Sequence, residues 1–298
     1  MSPGEVGSAP AKERPAGEAQ PPGPIRVEHR GAVGVITIHR PERFNSLDVE
    51  TARDLRKAGL QMARDEEVRC VVLRGTNGVF CSGADLKYVR QRGEERDFGY
   101  LQPDGHGPAS GYGESFKEIL EYLHSTISEI KRAPKPFVAA VDGVAAAGGF
   151  GLAMSCDLVF ASERSTFEWA YPKTGLTGAE SSTFFLPRLV GLRKALELVL
   201  LNPRLDAREA LEAGLLTDVF PDAEFEARVD GVAERLAAGP TRAYAVAKAL
   251  IHQADGVDRL DYHLDRELEE LARIADEPNF AEGLAAFFEK RDARFEGR

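Results

Sequence analysis

Short apolar runs separated by stretches of helical periodicity constrain this chain more than any other feature. VGVITI (33–38), CVVLRG (70–75), PFVAAV (136–141) and DLVFAS (157–162) are too short for core helices. They suit strands buried on both faces. IRVEHR (25–30) alternates ahead of the first run, with Gly31 as a turn between them. Amphipathic segments fill the gaps. One runs from Val49 to Arg64 behind the capping stretch Asn45-Ser46-Leu47-Asp48. A second spans about Glu114 to Arg132, and Gly148-Gly149 open a third that continues through Met154. After Arg204 the pattern is mainly helical, with a brief strand near Leu216–Phe220. From Thr241 onward Ala, Leu and Glu recur at helical spacing. The order predicts an α/β core followed by a helical C-terminal region.

Residues 1–24 carry six Pro, four Gly and four Ala, and almost nothing large and apolar. Such a segment cannot bury enough surface to offset its ordering entropy, so a disordered tail is expected. It shows neither the apolar stretch of a secretory signal nor a transit-peptide pattern. Residues 91–113 are polar, with glycines at 93, 99, 105, 107, 111 and 113. A loop of that length is expected to be a lid, a binding loop or disordered. Tyr88, Tyr100 and Tyr112 could shape a pocket there.

The net charge of −10 argues against non-specific nucleic-acid binding, which needs a positive surface. No run of about 18 apolar residues is present, so no membrane span is expected. Cys70, Cys81 and Cys156 form no CxxC pair and read as reduced thiols of a cytoplasmic protein. The chain has no GxxxxGKS/T loop, no HExxH and no GxSxG. Gly149-Phe150-Gly151 begins a dinucleotide fingerprint, but Met154 stands at its third glycine. The six histidines lack metal-ligand spacing, so no metal is expected.

Two turns of small residues remain, each directly after a buried strand. The first is Phe80-Cys81-Ser82-Gly83-Ala84-Asp85-Leu86. The second is Asp142-Gly143-Val144-Ala145-Ala146-Ala147-Gly148-Gly149, which leads into a helix. Small residues let a ligand approach backbone N–H groups closely. Two such donors aimed at one carbonyl oxygen would stabilise an oxyanion. Tight turns and helix–strand packing would use the same glycines, so spacing alone leaves both readings open.

From about Ile25 to Arg298 the chain resembles the enoyl-CoA hydratase/isomerase, or crotonase, superfamily. RPERFNSLD (40–48), FCSGADL (80–86), AVDGVAAAGGFGLAMSCDLVFAS (140–162), GLTGAESSTFFLPRLVG (175–191) and AFFEKRDARFEG (286–297) carry the likeness in that order. The resemblance implies a repeated ββα spiral with a helical end. It implies an acyl-CoA-binding core over 25–240 and a trimerisation region over 241–298, in homotrimers or hexamers. The substrate would be an acyl-CoA thioester, with no further cofactor. Its thioester oxygen would lie between the N–H groups of Ala84 and Gly148. Arg43 and the loop Ser82, Gly83, Asp85 and Leu86 would flank the CoA. Lys290, from this or a neighbouring subunit, would lie near its phosphates.

The chain departs from the two-glutamate hydratases of that family. Gly151 and Tyr171 stand where their carboxylates belong. Glycine carries no proton, and a phenol of ordinary pKa about 10 is a poor base near neutrality. Several isomerases of the superfamily place a carboxylate in the segment matching Gly178-Ala179-Glu180, at Ala179 by ungapped correspondence. Glu180 is the candidate base here, or else an acid complementing the dipole of the following helix. Glu168 is the next carboxylate. A double-bond isomerase or related lyase is thus expected ahead of a hydratase. A decarboxylase or thioester hydrolase, with Tyr171 or Tyr88 as proton donor and Lys87 drawing a substrate carboxylate, is the enzymatic alternative. A non-catalytic acyl-CoA-binding homologue is the other.

Overall fold

The computed structural model describes residues 23–94, 97 and 111–296. The expected tail 1–24 lies outside them apart from Gly23 and Pro24, as does most of the expected loop 91–113.

Strands β1 (Ile25–Arg30) and β2 (Val33–Ile38) form an antiparallel hairpin across Gly31. Helix α1 (Val49–Arg64) then begins where the capping stretch predicts: Asp48 accepts from the N–H of Thr51 at 2.9 Å. Next come β3 (Cys70–Gly75), β4 (Val79–Cys81), α2 (Leu86–Arg90) and the long α3 (Tyr112–Arg132). A second set follows: β5 (Phe137–Val141), β6 (Val144–Ala146) and α4 (Gly148–Met154). A third has β7 (Leu158–Ser162), β8 (Thr166–Glu168) and the 3-10 turn Tyr171–Thr174. The remainder is α5 (Ser182–Val190), α6 (Leu192–Leu200), β9 (Leu205–Asp206), α7 (Ala207–Glu212), β10 (Asp218–Phe220), α8 (Phe225–Ala238), α9 (Thr241–Ala254), α10 (Leu260–Ala275) and α11 (Pro278–Glu289).

Each of the three sets sends one strand into a large sheet and the next into a small one. The large sheet runs β1-β2-β3-β5-β7-β10 and is parallel from β2 onward. The small sheet runs β4-β6-β8-β9, its first three strands parallel. Successive sets step sideways in both sheets, which is the ββα spiral. Each step needs a tight turn between its strands. Gly143 makes one at φ +83°, and a β-carbon there would stand 1.7 Å from the carbonyl oxygen of Gly78. Only glycine fits.

The central strands β2, β3, β5 and β7 are buried on both faces, which accounts for their unbroken apolar runs. Ile36, Ile38, Val71, Leu73, Phe137 and Val141 face the core shared with α1 and α3. Val35, Val72, Val138 and Phe160 face α8 through Phe225, Val229 and Ala233.

The apolar helical faces of the C-terminal run are expected to pack on a neighbouring subunit as well as on the chain's own core, and the structure divides them. Leu260, Leu264 and Leu271 are buried within the chain, and Leu268 and Phe288 pack partly against its core. Leu250, Phe287 and Phe295 are exposed, together with Val246 and Ile251 of α9. Leu192, Leu196 and Leu200 form an exposed stripe on α6, extended by Leu201. Among the described residues no helix is long and apolar enough to cross a membrane.

Candidate active site

The two small-residue turns meet. A β-carbon on Gly83, at φ +93°, would lie 2.8 Å from Ala147 Cβ and 3.1 Å from the Gly148 nitrogen. Ala84 bridges Leu47 in parallel through its neighbours: Leu47 N–H donates to Gly83 O, and Asp85 N–H donates to Leu47 O, both at 2.8 Å. That pattern turns the N–H of Ala84 away from Leu47. Gly148 is the first residue of α4, so its N–H has no acceptor within the helix. Ala147, just before it, holds φ 46° and ψ −118°, a conformation that ordinarily selects glycine. Such strain costs of order 1–3 kcal/mol and gathers at working sites.

A cavity of about 440 Å³ opens over both turns. Ser82, Ala84, Asp85 and Leu86 line it from one side, with Ala146, Ala147 and Gly148 opposite. Phe116, Leu176, Leu271, Phe287 and Phe288 add apolar wall, while Arg43, Lys87 and Lys173 contribute cations. Gly83 backs the first turn. Lys290 caps α11 at φ 55°, is exposed, and does not line this cavity in its own chain.

The acidic side chains in the lining differ sharply. Glu42 is exposed. Asp85 is buried and works as a clamp rather than as a free ligand. Its carboxylate accepts from Arg43 Nε at 3.0 Å and Nη2 at 2.7 Å, from Arg40 Nη2 at 3.2 Å, and from the first N–H groups of α2. Burial alone would raise this carboxyl, but the Tyr88 N–H and the two guanidiniums outweigh it and hold it below the ordinary value. Arg43 thereby reaches the cavity with its guanidinium already fixed. Glu168 is paired with Lys173 at 2.5 Å and Arg204 at 3.3 Å, and accepts from Asn202 at 3.0 Å.

Glu180 has no cation beside it among the described residues. It is buried, lines the cavity, and stands on the turn ahead of α5. A β-carbon on Gly148 would lie 2.8 Å from Glu180 Oε1, so the carboxyl rests directly against that glycine. A β-carbon on Gly151 would lie 2.9 Å from Glu180 Cβ and 2.5 Å from its backbone oxygen. The space that a side chain at Gly151 would take is thus filled by the Glu180 turn. Ala179, the position of ungapped correspondence, is buried outside the cavity lining, and its carbonyl accepts from Tyr171 Oη at 3.3 Å. Tyr171 Oη also donates to Glu180 Oε2. Burial, then the Glu180 charge, raise the Tyr171 phenol well above its ordinary value, so it keeps its proton and serves as a donor. For Glu180 burial is the main push upward, the Tyr171 hydrogen bond pulls back, and the charge of Glu267 adds to the rise. The outcome is about 7.

Several neighbours escape a reading of the sequence. Phe116, Leu271, Phe287 and Phe288 look like ordinary core positions until the cavity is seen. Glu267 had a signal: it continues the spacing of Leu260, Leu264 and Leu271 on the buried stripe of α10. Tyr88, the other candidate donor, instead donates to Asp97 at 2.8 Å, and its phenol is pushed far up, chiefly by burial. No group of three or more potential metal ligands occurs among the described residues.

The enoyl-CoA hydratase/isomerase family model matches residues 28–106 and 109–298. The chain is 34% identical over 266 residues to 4-chlorobenzoyl coenzyme A dehalogenase-2 of an Arthrobacter species, covering 89% of this chain and 91% of that one. It is 32% identical over 266 residues to 1,2-epoxyphenylacetyl-CoA isomerase of Escherichia coli strain K12, covering 89% and 95%. The crystal structure of an enoyl-CoA hydratase from Mycobacterium avium subsp. paratuberculosis K-10 superposes with a TM-score of 0.79 at 33% identity, covering 93% of this chain and all of that one. With its ββα spiral and paired turns, the chain belongs to the enoyl-CoA hydratase/isomerase, or crotonase, family of acyl-CoA-processing enzymes.

Proposed function

We propose that this enzyme isomerises a double bond in an acyl-CoA thioester, with Glu180 moving the proton. The observation that carries the reading is the place of Glu180: buried against Gly148, with no cation beside it among the described residues, so that burial pushes its carboxyl up to about 7. A base poised near the working pH combines a useful ionised fraction with a useful proton affinity. Glu180 removes a proton from the carbon next to the thioester carbonyl of a 3-enoyl-CoA. The electron pair passes into a dienolate, whose oxygen is held by the N–H groups of Ala84 and Gly148. The same carboxyl returns the proton two carbons further along, giving the 2-enoyl-CoA. One carboxyl suffices for this shift, whereas the family's hydration uses two. Tyr171 holds Glu180 in place by its hydrogen bond. Arg43, with Lys87 beside it, supplies positive charge for the CoA, and the phenylalanine wall takes the acyl group.

A second reading is hydrolytic dehalogenation of an aromatic acyl-CoA. It is favoured by the similarity to the Arthrobacter dehalogenase and by the aromatic lining. There Glu180 would attack carbon as a carboxylate, a task that its raised pKa hinders. A panel of 3-enoyl-, 2-enoyl-, malonyl- and 4-chlorobenzoyl-CoA separates the cases. The expected result is conversion of the 3-enoyl ester at the highest rate. Chloride release would favour the second reading, carbon dioxide release a decarboxylase, and binding without turnover a non-catalytic homologue.

The exposed leucines of α6 and the exposed Val246, Leu250 and Ile251 of α9 support assembly with further copies of the chain. Sedimentation is expected to give a trimer or hexamer. A monomer throughout the micromolar range would count against this assembly.

A further inference from the structure

The turn that carries Glu180 is strained. Glu180 and Ser181 hold φ at 50° and 60° in succession. The left-handed region costs an L residue roughly 1–2 kcal/mol, and neither residue is a glycine or asparagine. Such a conformation persists only when its surroundings over-determine it. Ser181 offers α5 no side-chain cap. A carboxylate arrives instead from α10. Ser181 N–H donates to Glu267 Oε2 at 2.8 Å, Thr183 N–H donates to Oε1 at 3.0 Å, and the Thr183 hydroxyl donates to Oε1 as well. Glu267 is buried and absent from the cavity lining, so it cannot act on a substrate directly.

The titratable groups facing Glu267 are two histidines and, across the turn, Glu180 and Tyr171, on both of which its charge acts. His124 of α3 has Nε2 at 4.0 Å from Oε2, and His263 of α10 has Nε2 at 3.5 Å from Oε1 and 2.8 Å from Thr183 Oγ1. Burial is the main cause that pushes His124 down to about 4, so it brings no positive charge to this cluster near pH 7.

We propose that Glu267 is a positioning residue of this enzyme, its carboxylate clamping the strained turn and fixing where the Glu180 carboxyl stands beside Gly148. This rests on the reading of Glu180 as the base. The charge of Glu267 also reaches Glu180 from behind and raises the pH at which Glu180 takes up its proton.

Exchange of the α-protons of phenylacetyl-CoA in deuterated water, followed by NMR across a pH series, tests this with the full chain. Glu267→Gln can accept from one N–H of the turn but sets its own NH₂ against the other. Its exchange rate at saturation is expected to fall about 10- to 100-fold, the cost of a small misplacement, with KM little changed. The acidic limb of its profile should also move to lower pH, because a negative charge behind Glu180 has gone. Glu267→Asp keeps the charge but cannot span both N–H groups, so its rate should fall while the limb stays. Wild-type exchange and an unmoved limb in Glu267→Gln, with Glu180→Gln inactive, would overturn the clamp and leave Glu180 as the base. Wild-type exchange in Glu180→Gln would overturn both. Should Glu267→Gln fail to fold, full exchange in Glu267→Asp would still refute the clamp.

Discussion

Ala84→Pro should yield a folded protein whose turnover is at least about 100-fold slower, the usual cost of one oxyanion donor. The substitution deletes the N–H and changes no charge. The fold does not rely on that N–H, because the bridge to Leu47 is made by Gly83 O and Asp85 N–H. The conformational restriction that proline puts on its predecessor falls on Gly83, the residue type that tolerates it best. Binding of the CoA portion should persist, since Arg43 and Asp85 are untouched. The loss should therefore appear in kcat, as expected for a contact that strengthens as charge develops on oxygen. Circular dichroism and thermal unfolding check the fold. A folded variant with wild-type kcat would remove Ala84 from the oxyanion hole.

Much of the fold is legible in the chain itself. The central strands of the large sheet are buried on both faces, so their apolar runs stand out, and Asp48 marks the start of α1 directly. The small sheet is different. Strands β4, β6 and β8 are three residues each, too short for a period-2 pattern to emerge, and the first two lie in small-residue segments that read as turns. They are nonetheless what brings Ala84 and Gly148 together. The two turns could be singled out by their small residues, but their convergence is a property of the spiral, not of either segment.

Charged residues were the least legible. Asp85 sits in a loop expected to touch CoA, yet its carboxylate binds Arg40 and Arg43, which lie more than forty positions earlier in the chain. Glu168 and Glu180 look alike as acids near a turn. What separates them is the company of Lys173, Arg204 and Asn202 around the first and a buried phenol beside the second. Those partners are distant or differently ordered in sequence, so propensity and spacing cannot report them. Of Ala179 and Glu180, only Glu180 lines the cavity, and it shares two successive left-handed residues with Ser181, which spacing does not report.

Glu180→Gln should abolish proton transfer and stabilise the protein in the same stroke. Glutamine keeps the shape of the side chain and can still accept from Tyr171, but it takes up no proton. Isomerisation and α-proton exchange should fall by roughly 10²–10⁴-fold, the range of general-base catalysis, with acyl-CoA binding retained. In the wild type the rate should decline below about pH 7, as Glu180 becomes protonated. Stability follows the opposite sense. The folded carboxyl titrates at about 7 against an ordinary 4.5. Between those values the folded chain holds a proton that the unfolded chain releases. The contribution of this group is therefore full below about pH 4.5 and lost as pH rises through 7. A shift of that size corresponds to roughly 3 kcal/mol. Glutamine carries no such penalty, so denaturant unfolding at pH 8 should find the variant more stable than the wild type by up to that amount. The difference should vanish near pH 4.5. An inactive variant with no gain at pH 8 would mean that Glu180 is ionised at no cost in the folded protein, and the burial that makes it a base near neutrality would no longer explain its chemistry.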